Sequence, residues 1–189
     1  KSYNKGLVKE NLNIGEVYLA SLHLHWHGIH QLHQGDLAVA QWLVGQLDEI
    51  ADVYENDFSR LLKLLLNTGL LLECRRLDEA RAETAAAIEF AKKTQSGLGL
   101  IHFYGCRAHL HLAAGDSDAA EAVLQRADAI RQELQPVPWQ VSVYLRSRAE
   151  LDLYRLQEAV SQGRGAALRQ RRKQAHGSCR ALIRQSRMV

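Results

Sequence analysis

Three alanines stand forty residues apart, Ala40, Ala80 and Ala120, and each closes a similar short run. Gly35-Asp36-Leu37 precedes the first, Arg75-Arg76-Leu77-Asp78-Glu79 the second, and Gly115-Asp116 the third. A fixed period of this length marks a chain assembled from repeated supersecondary units, which constrains the fold more tightly than composition does. Around each run the apolar residues keep helical spacing. Leu61, Leu64, Leu65, Thr68, Leu71 and Leu72 lead into the second turn, and Leu77, Ala80, Thr84, Ala87, Ile88 and Ala91 lead out of it. The third unit repeats the arrangement through Ile101, Tyr104, Ala108 and Leu112, then Ala120, Val123, Leu124 and Ala127. Each unit therefore predicts a helix, a tight turn and a second helix. Glycine suits the left-handed residue that ends the first helix, and Asp116 or Ser117 can cap the next. Arg75 takes glycine's place in the second unit, which predicts a turn that is strained or built differently. The alanines sit where two antiparallel helices must come close, and a bulkier residue there overpacks them at about 1–3 kcal/mol.

Abundant Leu, Ala, Glu, Gln and Arg with only 2 Pro extend the helical expectation to the whole chain. The expected fold is all-α, a solenoid of antiparallel helix pairs with units over about 20–55, 57–95 and 97–135. A partial fourth, 137–160, starts after Pro136 and Pro138 and reads as cut short, because no acidic, Leu-rich partner helix follows it. Residues 1–11 form an N-terminal extension, and 161–189 a basic segment, either a capping helix or disordered.

The set Gly28, Gly35-Asp36 and Ala40 resembles the tetratricopeptide repeat, which places glycine in its first helix, Gly-Asp at the turn and alanine early in the second. Ala80, Gly115 and Ala120 hold the corresponding structural positions in later units. The resemblance implies a right-handed superhelix whose first helices line a concave groove. Longer, Leu- and Ala-rich repeats of this kind are similar to the sensor region of LuxR-type regulators related to the maltose-operon activator, and occur in scaffolds that orient the spindle. A non-catalytic binding module follows, holding a protein, a peptide or a small effector, within a larger transcriptional or signalling regulator. The groove would comprise Leu22, His25, Ile29 and His33, then Leu62, Leu65 and Leu72, then His102, His109 and Leu112. These leucines serve equally well as packing between repeats. The chain has neither the phosphate-binding loop nor a recognisable DNA-binding helix pair of such regulators. It also begins at Lys1 and not Met, as expected of a fragment or processed product.

Five histidines, His23, His25, His27, His30 and His33, fall within eleven residues, and His23, His27 and His30 share a helical face. That spacing can chelate zinc, yet no Glu, Cys or Asp completes a set beside them, so neither metal nor cofactor is expected. No catalytic signature stands on a predicted loop, and the chain is read as a non-enzyme, with a metal-dependent enzyme built on the His23–His33 cluster as a distant third reading. Cys74, Cys106 and Cys179 are odd in number and far apart, which fits free thiols in a reducing, cytoplasmic setting. The longest apolar run, Leu61 to Leu72, is interrupted by Lys63 and Asn67, so no membrane role is expected.

The net charge of +3 conceals an asymmetry: no acid follows Glu158, whereas eight Lys and Arg do. Arg169, Arg171, Arg172 and Lys173 form the densest cluster and could touch a polyanion, which gives a second reading as a nucleic-acid-associated adaptor. Helical spacing of Leu168, Ala175, Cys179, Leu182 and Ile183 favours a docking helix there, and no aromatic residue after Tyr154 is available to stack on bases.

Overall fold

The computed structural model describes residues 5–136, 141–163 and 165–186. Pro138, Arg164 and Arg187 lie outside the described residues. Among those described the chain is all-helical, with nine helices in order. They are α1 (Lys5–Asn13), α2 (Val17–Gln34), α3 (Leu37–Val53), α4 (Asp57–Glu73) and α5 (Leu77–Lys93). After these come α6 (Gly97–Ala113), α7 (Ser117–Leu134), α8 (Ser142–Ser161) and α9 (Gly165–Ser186).

The structural pitch is twenty residues, half the period legible in the sequence. Left-handed backbone recurs at Gly15, Gly35, Glu55, Arg75, Gln95, Gly115 and Gln135, each with φ between 47° and 82°. The residue after each of the first six returns its N–H to the carbonyl five positions earlier, as in Asp36 to Gln31 (3.0 Å), Arg76 to Leu71 (3.0 Å) and Asp116 to His111 (2.9 Å). This closure satisfies carbonyls that the end of a helix would otherwise orphan. Where that residue is Asp36, Asn56, Ser96 or Asp116, its side chain also accepts the N–H three residues on, at 2.8–3.2 Å. At Arg75 the strained of the two expected alternatives holds. Its turn has the same construction as the glycine turns, with φ at 57°. The hydrogen-bonded closure over-determines the backbone, and Arg75 absorbs a conformation costing about 1–2 kcal/mol for an L residue.

Two compact units divide the chain between Phe90 and Ala91, inside α5. In the first, α1 packs on α2, α2 on α3 and α4, and α3 on α4. Leu24, Leu43, Leu47 and Leu66 are wholly buried there with Ala20 and Ala40. A methyl on Gly28 would collide with Cδ2 of Leu66, so the glycine admits that leucine at the crossing of α2 and α4. In the second unit α6 packs on α7 and α8, α7 on α8, and α8 on α9. Its core is Ile101, Phe103, Leu110, Leu124 and Leu151, with Ala108 and Ala120. Here Gly105 permits a backbone approach: a Cβ would lie 2.9 Å from the Tyr144 nitrogen.

The described N-terminal extension is helical, and the basic segment turns at Gln162 and Gly163 before its own helix. α1 begins at Lys5 and α9 gives α8 a partner. Of the expected stripe, Leu168, Ala175, Cys179 and Leu182 lie on the less exposed side of α9, with Ala175 buried, whereas Ile183 turns outward and is 52% exposed. A short apolar stripe suffices for docking although the rest of the helix is basic. Cys74, Cys106 and Cys179 are free thiols.

Candidate functional site

The residues expected to line a groove in the first unit, Leu22, His25, Ile29, His33, Leu62, Leu65 and Leu72, lie on α2 and α4. Leu22, Ile29 and Leu65 are half-buried against the core, Leu62 is buried, Leu72 is half-buried and His33 is exposed. His25 is turned inward. Its Nδ1 donates to the Leu62 carbonyl at 3.1 Å, across the seam between the two helices. Burial pushes its pKa down to about 4, against the smaller opposing pull of that carbonyl, so the ring is neutral at physiological pH.

What α2 offers to water is a different set. Tyr18, Leu19 and Trp26 are 54%, 47% and 47% exposed. At about 100° per residue, Tyr18, Leu19, Leu22, Trp26, Ile29 and His33 fall within an arc of about 100°. Phe58 of α4 stacks on Tyr18 with ring centroids 4.3 Å apart, extending the aromatic surface across the seam. The sequence reading chose His25 over Trp26 and passed over Tyr18 and Phe58. The signal was present in the eight-residue spacing of Tyr18 and Trp26, which puts both on the face of Leu22 and Ile29.

The residues expected to line a groove in the second unit sit on α6. His109 approaches Glu150 of α8 at 2.7 Å, and Arg146 donates to the same carboxylate at 3.0 Å. Burial raises the pKa of Glu150, but these two donors outweigh it and hold the carboxyl below its ordinary value. His102 is half-buried and meets Phe103 edge-on, with ring centroids 5.4 Å apart, and Leu112 is half-buried.

On the outer side of α2, the rings of His27 and His30 lie 6.5 Å apart. Burial and the neighbouring imidazoles of His23 and His30 lower the pKa of His27. Among the described residues no three His, Cys, Asp or Glu are grouped to hold a metal ion. The acidic run of α3 is used in pairing: Asp52 with Arg60 at 2.7 Å, and Asp48 with Lys63 at 3.8 Å. Glu83 accepts from Lys63 at 3.2 Å and from Asn67 at 2.8 Å.

A polar cavity of about 260 Å³ opens between α7, α8 and α9, lined by Asp118, Arg155, Glu158 and Arg171 among others. Arg155 is committed to Glu121 (2.6 Å) and Asp118 (3.2 Å), and Glu121 also holds Arg148 at 2.9 Å. Arg169, Arg172 and Lys173 are exposed, whereas Arg171 is half-buried and donates to Gln174 at 3.3 Å. Among the described residues no helix is long and apolar enough to cross a membrane. No family model matches the chain, and no curated protein or solved structure matches it either.

Proposed function

We propose that the chain is a non-catalytic binding module whose receptor surface in the first unit is the α2 face of Tyr18, Leu22, Trp26 and Ile29, completed by Phe58 and Leu65. The observation that carries this reading is the exposure of Tyr18, Leu19 and Trp26 side by side on one helix. Large aromatic and aliphatic side chains left in water together gain by being covered, and such patches mark interaction sites. From Tyr18 to His33 the face runs about 22 Å along the helix axis. That length suits the apolar side of a partner's amphipathic helix, read at i, i+4 and i+7, better than a compact effector. The turn recurring every twenty residues supports a right-handed superhelix of the tetratricopeptide type. In this reading the module is the sensing or interaction portion of a larger cytoplasmic regulator.

Selection of a displayed library of amphipathic helical peptides on the full chain tests the assignment. Clones are expected that bind the native chain and lose at least about tenfold in affinity on Trp26→Glu or Tyr18→Glu, a change of about 1.4 kcal/mol. Circular dichroism of both variants should remain that of the parent. If every clone binds the variants as tightly as the parent, the face is not the receptor surface.

A further inference from the structure

Four of the five arginines of α7 and α8 are matched by acids, and Arg126 is exposed without an ion pair among the described residues. Arg131 pairs with Asp128 at 2.7 Å, Arg146 with Glu150 at 3.0 Å, Arg148 with Glu121 at 2.9 Å, and Arg155 with Glu121 at 2.6 Å. Helix α9 differs: its 22 residues hold six Lys and Arg and no acid. Arg169, Arg172, Lys173, Arg180 and Arg184 are all exposed, and none forms an ion pair among the described residues. At about 100° per residue these five and His176 fall within an arc of about 120°. They form one stripe about 22 Å long, opposite the side that α9 lays on α8. Asp118 and Glu158 line the polar cavity together with Arg171, which is not part of this stripe.

Concentrating five like charges on one face costs self-repulsion that an opposing polyanion relieves. Three polyanions are distinguishable by their other needs. An anionic membrane surface needs apolar side chains to insert, but the leucines of α9 are turned to α8 and Ile183 is the only large apolar residue on the basic face. Single-stranded nucleic acid needs aromatic platforms, and none follows Tyr154. A duplex needs only cations spaced along a rod, and the major groove of B-form DNA, about 12 Å wide, admits a helix lying along it. The deep, narrow major groove of duplex RNA does not. We infer that the outward face of α9 binds the phosphate backbone of double-stranded DNA without reading its sequence. Arg172 and His176 flank one side of the stripe and Lys173 and Arg184 the other, so the two phosphate rows are met from opposite edges.

The test is fluorescence anisotropy of the full chain with labelled DNA duplexes of about 20 base pairs and unrelated sequences, from about 50 to 200 mM salt. Five phosphate contacts predict a slope of log affinity on log salt near −4.5, the same for each sequence. Arg172→Gln with Lys173→Gln, and separately Arg180→Gln with Arg184→Gln, should each reduce the slope by about 1.8 at unchanged helical content. These are neutral, exposed changes, so folding and binding stay separable. Single-stranded DNA, duplex RNA and phosphatidylserine vesicles serve as competitors. No binding at the lowest salt overturns the assignment, as does a slope untouched by both double variants. Tighter competition by vesicles, RNA or the single strand than by the duplex overturns it equally.

Discussion

Where α2 meets α4, the hydroxyls of Ser21 and Ser59 pair at 2.7 Å and a neutral His25 caps the Leu62 carbonyl. Where α6 meets α8, Ser147 donates to the Gly105 carbonyl at 2.9 Å, and His109, Glu150 and Arg146 close the rim. Both seams join the first helices of successive hairpins, and both are buried at their centres. Their rims differ in chemistry. The charged rim satisfies its own polar groups and gains little from a partner, whereas the aromatic rim of Tyr18, Trp26 and Phe58 remains partly in water. A repeated backbone can therefore carry two unlike surfaces, because rim side chains are free to vary once the seam's small residues are in place.

Acid should separate the seams by the largest margin. His25 binds a proton far more weakly folded, at about 4, than unfolded, at 6.5. Its contribution is complete above pH 6.5 and falls, by up to about 3 kcal/mol, as pH drops towards 4. The carboxyl of Glu150 is held below its ordinary 4.5, so its contribution is lost only at lower pH. Amide exchange between pH 6.5 and 5 should show α2 and α4 losing protection before α6 and α8. His25→Leu should flatten that loss, and equal loss in both seams would break the comparison.

The glycines come next. Gly105→Ala places a methyl 2.9 Å from the Tyr144 nitrogen, and backbone cannot swing aside. A net cost of about 2 kcal/mol is expected after the helix propensity gained from alanine. At Gly28 the obstacle is the end of the Leu66 side chain, which can change rotamer. Gly28→Ala should stay within about 1 kcal/mol of the parent. Urea titrations of both variants decide it, and equal costs would mean that the α2–α4 crossing is as tight as the other.

The rims themselves give a smaller contrast. Glu150→Ala removes the acceptor of both His109 and Arg146 and should cost about 1 kcal/mol, less in high salt. Trp26→Gln alters a ring already 47% exposed and should change stability by under about 0.5 kcal/mol. A thermal melt showing Trp26→Gln the more damaging would make that ring part of the core and remove the basis for a receptor surface.

How much of this was legible follows from which residues carry the pattern. Ala40, Ala80 and Ala120 are all fully buried, and glycine marks the turns at Gly35 and Gly115, so the forty-residue unit could be read directly. The twenty-residue pitch could not, because Glu55, Arg75 and Gln95 hold left-handed backbone without the residue that advertises it. Only the caps Asn56 and Ser96 signalled those turns. In the site, helical periodicity identified the apolar side of α2 but could not fix its rotation to within one residue. His25 and Trp26 are neighbours in sequence, and that small rotation decides which of them faces the Leu62 carbonyl and which faces water.

The smallest expected difference lies at the centres of the seams. Ser147→Ala removes a buried hydroxyl whose acceptor, the Gly105 carbonyl, sits at the tightest approach of α8 to α6. The loss of one buried hydrogen bond should cost about 1 kcal/mol. Ser21→Ala removes an equally buried hydroxyl, but its partner Ser59 still reaches the Asn56 side chain at 3.0 Å. No polar atom is left stranded, and the cost should shrink to a few tenths, about 0.3 kcal/mol. Urea midpoints of the two variants at unchanged slope measure the gap. Equal midpoints would mean that Ser59 cannot serve Asn56 alone, and that the apolar seam depends on its hydroxyl pair as fully as the charged seam depends on its tether.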